Sequence, residues 1–258
     1  MLRVGKVVDD PDLTSSVTWL DALERRHLTD LTFSEVSRAL RALSSCYVER
    51  RGKLSSGAAL ETRGKRAAFA LFYGPLHFAI TREIVRAAAP LRTGIRDIVD
   101  LGCGSGAAGA AWALEAGAPR ISGMDRNAWA VAEANWTYRQ LNLRGRAVQG
   151  DIGQFRTRAG NGTAILAAYT LNEVAERTRD QLLEEFLRAA ARGARVLVIE
   201  PIARRIAPWW TGWRTAFERA GGHAGEWRFP GSLPDRPRAL GRAAGLDPRE
   251  LTARSLWV

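Results

Sequence analysis

The sequence predicts an α/β fold: a parallel-rich sheet with helices on both faces, preceded by an N-terminal helical extension. Three observations predict it. Between residues 95 and 201 short apolar runs alternate with helical patterns as strand, helix, strand, a rhythm that demands parallel pairing through right-handed crossovers. The first run breaks into the loop Gly102-Cys103-Gly104-Ser105-Gly106 and then into an Ala-rich stretch, Ala107 to Leu114, which is a strand-turn-helix unit. Three successive runs also end on an acid, Asp100, Asp125 and Asp151, so all three share the crevice above the carboxyl edge of the sheet.

In chain order, residues 1–12 are polar and aperiodic. Ser15 or Ser16 caps a helix to about His27, with Val17, Leu20 and Leu23 on one face. Thr32-x-x-Glu35 is a capping box opening a second helix with Val36, Leu40 and Leu43 at helical spacing. From about Glu49 to Arg66 the chain is polar and basic (Arg50, Arg51, Lys53, Arg63, Lys65, Arg66), either a solvated loop or an arm for phosphates. An apolar stretch, Ala67 to Tyr73, leads to a helix with Pro75 in its first turn and an end near Ala88. Core packing is the role expected of Tyr73.

Strands are then expected at Ile95 to Leu101, Ile121 to Met124, Ala147 to Gln149, Thr163 to Tyr169 and Arg195 to Ile199, with crossover helices at 107–116, 128–140 and 177–192. The density of indoles in Pro208-Trp209-Trp210-Thr211-Gly212-Trp213 suggests a lid packed on the sheet; interleaved with Arg204, Arg205, Arg214, Arg219 and Arg228, these rings could instead stack unpaired bases. Arg238 to Ala244 reads as a short helix and Leu251 to Val258 as a terminal strand, with Glu226 to Phe229 the only candidate partner for it. Two units are expected, a helical extension over 1–90 and the α/β domain over 91–258, with a Trp-rich insertion at about 204–232.

Composition narrows the function. The two cysteines, Cys46 and Cys103, build neither a disulfide framework nor a metal cluster, and the three histidines, His27, His77 and His223, lack ligand spacing and read as partly buried or surface imidazoles. No metal is expected. No run reaches the ~18 apolar residues of a membrane span and the amino terminus has no secretory pattern, so a soluble cytoplasmic protein is the expectation. The net charge of +11 is concentrated on the flanks: residues 201–258 hold 10 basic against 5 acidic side chains, residues 91–200 hold 14 against 12. Such an excess suits RNA, although an Arg-rich, Ala-rich composition also follows from coding bias alone.

The ligand of the glycine loop is decided by Asp100. Gly102-x-Gly104-x-x-Ala107 with Asp125 also satisfies a dinucleotide fingerprint. A carboxylate ending an apolar strand is costly, however, unless a donor or cation satisfies it. A ligand with an ammonium and a sulfonium does so; an anionic pyrophosphate is repelled. Asp100-x-Gly102-x-Gly104-x-Gly106 resembles the loop of class I S-adenosylmethionine-dependent methyltransferases, and the resemblance runs from about Gly94 to Pro201.

That resemblance implies a Rossmann-like methyltransferase core with S-adenosylmethionine as cofactor. It implies a binding set of Asp100, Gly102, Cys103, Gly104, Gly106, Asp125, Arg126, Asp151, Ile152 and Tyr169, in which Asp125 accepts from the ribose hydroxyls. Asp151 then accepts from the adenine amino group and Ile152 packs on the ring, while from the sequence alone Asp151 is equally a helix cap. The end of the fourth strand faces the methyl group and the acceptor, so Tyr169, Asn172 and Glu173 are the catalytic candidates; Asn172 also reads as a cap and Glu173 as a first-turn acid. Within the class, Leu71 to Pro90, Ala167 to Glu173 and Val198-Ile199-Glu200-Pro201 resemble the methyltransferase-like assembly factors of the mitochondrial small ribosomal subunit and their bacterial relatives. Members of that family often carry cysteines for an iron-sulfur cluster, a set that this chain cannot supply. The functions carried forward are methyl transfer to an RNA, ribosome-associated or small-molecule acceptor, and a non-catalytic role in assembly.

Overall fold

The structure, a computed structural model, describes residues 11–49, 60–203, 207–230, 233–246 and 250–258. Arg50, Arg51, Lys53, Arg204 and Arg205 lie outside the described residues. Among those described, no helix is long and apolar enough to cross a membrane.

Two helices, α1 (Pro11–His27) and α2 (Phe33–Glu49), open the chain, and the reciprocal bonds of the Thr32–Glu35 capping box start the second. Residues 63–66, expected in a loop, form the start of helix α3 (Arg63–Ala68), because the Thr62 hydroxyl accepts from the Lys65 N–H and caps it. A π-helical turn, Phe69–Tyr73, joins α3 without a break to α4 (Gly74–Ala87). Trp19 of α1 meets Phe78 of α4 with ring centroids 5.2 Å apart, and one apolar core runs from Trp19 and Leu40 through Ile84 to Ile98 and Leu166.

The sheet strands are β1 (Asp97–Leu101), β2 (Arg120–Asp125), β3 (Gly145–Gln149), β4 (Thr163–Ala168), β5 (Arg195–Glu200), β6 (His223–Pro230) and β7 (Glu250–Trp257). Their order is β3-β2-β1-β4-β5-β7-β6, with β1 to β5 parallel and β7 antiparallel to both neighbours. Strands β4 and β5 are buried almost throughout, as continuous apolar runs covered on both faces must be. Crossovers run through α5 (Ala107–Glu115), α6 (Ala128–Gln140) and α7 (Glu176–Ala191).

The segment expected as an insertion belongs to the sheet. It forms α8 (Trp210–Arg219) and then β6, which pairs with β7 along its whole length and extends well beyond the 226–229 core legible in sequence. Trp210, Trp213 and Phe217 are buried on the same face as Phe186 of α7 and Val196 of β5, so these indoles fill volume. A last helix, α9 (Asp235–Ala243), leads to β7 and packs against α2 and the π-helical turn.

Candidate active site

A cavity of about 550 Å³ opens over the carboxyl ends of β1 to β5, within the range of small-molecule sites and at the position such sheets reserve for ligands. Its floor is the Gly102–Ser105 loop with Asp100, Asp125, Arg126, Asp151, Ile152 and Tyr169; Asn172, Glu173 and Glu200 lie at the β4 and β5 end. Cys103 also lines it, with its thiol buried and pushed well up by burial and by the nearby acids.

Gly106 is the exception among the sequence-derived set. It starts α5 at φ +76°, and a Cβ there would stand 2.8 Å from the Tyr138 ring and 3.0 Å from Ala134, so its work is to seat α5 against α6. A glycine the sequence reading did not assign, Gly109, serves Asp100: a Cβ on it would fall 2.4 Å from Asp100 Oδ2. The spacing of Gly109 after Gly106 was its only signal.

Each of the three acids has a distinct environment. Asp100 is 1% exposed and its Oδ2 makes no hydrogen bond among the described residues. Burial, with repulsion from Asp125 added and the Gly109 N–H opposing, raises its pKa to about 7. Asp125 accepts from Gly104 N at 2.9 Å through Oδ2 and from Asn127 N at 2.8 Å through Oδ1, and each oxygen keeps a lone pair. Asp151 Oδ1 accepts from Gly153 N at 2.8 Å and caps a short turn, Ile152–Gln154. The cap reading is therefore present, in a residue that also lines the cavity.

The roof comes from the N-terminal helices. Phe69, Tyr73 and His77 recur every four residues along the π-helical turn and α4, and all three line the cavity. His77, read from sequence as a bland imidazole, stacks on Tyr169 with ring centroids 3.9 Å apart and planes 10° from parallel. Burial lowers its pKa to about 3, so the ring is neutral. Tyr73, expected in the core, sits beside it at 5.8 Å. Tyr169 itself holds φ +59°, a costly conformation for a non-glycine residue, and its buried hydroxyl has no hydrogen-bond partner among the described residues.

At the β4 and β5 end Asn172 stands between two partners. Its Nδ2 donates to Glu200 Oε2 at 2.5 Å and its Oδ1 accepts from the Trp209 indole at 3.0 Å. Glu200 is fully buried, takes a second hydrogen bond from Leu171 N at 3.0 Å, and is raised by burial to about pKa 8. Glu173 lies 3.9 Å from Arg126; burial raises it to about pKa 7, with Arg126 opposing and Asp125 adding. Glu200 was missed as a site residue, although the signal that singled out Asp100, an acid ending an apolar strand, is present in Val198-Ile199-Glu200.

Strand order, glycine loop and acids at successive strand ends together define a class I methyltransferase fold. Residues 98–193 match a family model described as a methyltransferase domain. A putative O-methyltransferase from Nostoc punctiforme PCC 73102 shares the fold at TM-score 0.54 and 15% identity, over 85% of this chain and 72% of that one. The N-methyltransferase NodS from Bradyrhizobium japonicum WM9, solved with S-adenosyl-L-homocysteine, is similar at TM-score 0.47 and 14% identity, over 70% of this chain and 83% of that one. No curated protein matches the sequence. The cofactor of the class is S-adenosylmethionine, and the donor set fits it: the unbonded, deeply buried Asp100 oxygen suits a cationic ligand and would penalise an anionic one.

Proposed function

We propose that this domain transfers a methyl group from S-adenosylmethionine held across β3, β2 and β1 to an acceptor held over β4 and β5. One observation carries the reading: Asp100, Asp125 and Asp151 converge on one cavity beside the Gly102–Ser105 loop, and Asp100 there has an oxygen that no described group satisfies. In this arrangement Asp125 receives the ribose hydroxyls, Asp151 the adenine amino group and Ile152 the ring, while Asp100 faces the cationic methionine end. When bound, the cofactor supplies a methyl group already activated on a sulfonium, so the chain contributes chiefly proximity and orientation. The roof of Phe69, Tyr73 and His77 keeps water from the reacting centre. Tyr169, Asn172 and Glu173 position the acceptor.

A second reading concerns the acceptor's carrier. The net charge of +11 favours an RNA or ribosome-associated acceptor over a free metabolite, because phosphate contacts reward a basic surface. Calorimetry with S-adenosylmethionine, followed by transfer of its labelled methyl group into total RNA or a metabolite extract, tests both readings. Label in RNA supports the second and label in the extract overturns it. Binding without transfer to either marks a non-catalytic assembly role, and failure to bind removes the proposal.

A further inference from the structure

The strand order divides the cavity into unlike halves. Over β3, β2 and β1 stand the three aspartates and the loop; over β4 and β5 stand Tyr169, Asn172, Glu173 and Glu200, under Tyr73 and His77. This second half is acidic and aromatic in a chain whose net charge is +11. Arg126 is the only lysine or arginine among the described residues lining the whole cavity, and it faces Glu173 at 3.9 Å. An anionic acceptor entering here would meet the carboxyl groups of Glu173 and Glu200, with Arg126 opposing the first and Arg254 the second.

The half also presents a flat, uncharged face. His77 and Tyr169 are stacked, the imidazole is neutral, and it makes no hydrogen bond among the described residues. Two polar groups have capacity left for a ligand. The Tyr169 hydroxyl is buried and unbonded, and the Asn172 amide, after its bonds to Glu200 and Trp209, retains one N–H and one lone pair. A group with a donor and an acceptor side by side on a planar ring would satisfy both. A saturated chain would gain nothing from the stacked face.

From this juxtaposition we infer that the β4 and β5 half is an acceptor subsite for a planar nitrogen base, uncharged or cationic, laid against the His77–Tyr169 pair and held at its edge by Asn172 and Glu173. The inference rests on the donor placement proposed above. It assigns His77 as a specificity residue and places an uncharged or cationic ring ahead of a carboxylate or phosphate in this half.

The test uses the full chain saturated with S-adenosylhomocysteine and titrated with 2-aminopyridine, benzoate and cyclohexylamine. The expected result is 2-aminopyridine binding at least about tenfold tighter than either of the others. His77→Leu should weaken 2-aminopyridine several-fold and S-adenosylhomocysteine by a clearly smaller factor, while Glu173→Gln should narrow the gap to benzoate. Benzoate or cyclohexylamine binding as tightly as 2-aminopyridine overturns the inference, as does no binding of 2-aminopyridine to the loaded protein. Failure of S-adenosylhomocysteine to bind in the first titration instead sinks the donor placement on which the inference stands.

Discussion

The Trp209 indole lies 3.0 Å from Asn172 Oδ1 and fixes which way round that amide sits. An indole nitrogen only donates, so Oδ1 must face it and Nδ2 must face Glu200. The neighbouring indoles of Trp210 and Trp213 fill the space between α8 and the sheet; Trp209 reaches past them, beneath the Arg179 guanidinium at 5.5 Å, to a residue of the cavity wall. One aromatic cluster thus both packs the core and orients a polar group of the site.

Replacing Trp209 with Phe keeps most of the ring volume and removes the donor. The Asn172 amide is then free to turn and present the wrong atoms to Glu200. The expected cost in stability is about 1 kcal/mol, the scale of one neutral hydrogen bond. S-adenosylhomocysteine affinity should hold while 2-aminopyridine affinity falls several-fold; chemical denaturation and calorimetry on the same preparation read the two effects separately.

Asp125 is held in place by two backbone N–H groups, from Gly104 and Asn127, before any ligand arrives. Such preorganisation leaves its remaining lone pairs aimed at one spot. Asp125→Ala should weaken S-adenosylmethionine binding by about 1 to 3 kcal/mol, the range for a lost charged hydrogen bond. Unchanged affinity by calorimetry would mean that the ribose lies elsewhere.

Asp100 makes stability depend on pH in a defined direction. Burial lifts its pKa from 3.8 to about 7, so between those values the folded chain holds a proton that the unfolded chain has lost. This contribution to stability is full below the lower value and is lost as pH rises through the upper one. Asp100→Asn removes the titration. The melting temperature of the variant should overtake that of the parent as pH rises from about 5 to 8, and its affinity for S-adenosylmethionine should drop. A constant gap across that range would show that the carboxylate is already compensated.

Much of this candidate site was legible in the chain because an acid stands at or within two residues of the carboxyl end of each of β1, β2 and β3, and the loop between β1 and α5 is nearly side-chain free. Periodicity also placed every strand of the parallel half. The roof was not legible. Phe69, Tyr73 and His77 share one helical face at four-residue spacing, but nothing local to the segment shows that this face closes over the strand ends rather than packing in the core. Edge strand β6 was legible only in part, since Glu226 and Arg228 on its exposed face alternate with Trp227 and Phe229 on the other only over this short core, and its pairing depends on β7 from the far end of the chain. The stacking of His77 on Tyr169 joins two elements distant in sequence, and only the fold brings them together.

Gly109 and Asp100 form a pair whose coupling can be measured. A methyl group on Gly109 would lie 2.4 Å from Asp100 Oδ2, closer than any real contact, and neither α5 nor β1 can retreat, because both are buried. Gly109→Ala should therefore cost about 1 to 3 kcal/mol by overpacking, despite the better helix propensity of alanine. Shortening the opposing side chain removes the clash, so adding Asp100→Ala should recover most of that loss and leave a coupling energy of at least about 1 kcal/mol in a double-mutant cycle. If the two costs simply add in urea denaturation, the carboxylate does not occupy the notch that Gly109 leaves in α5.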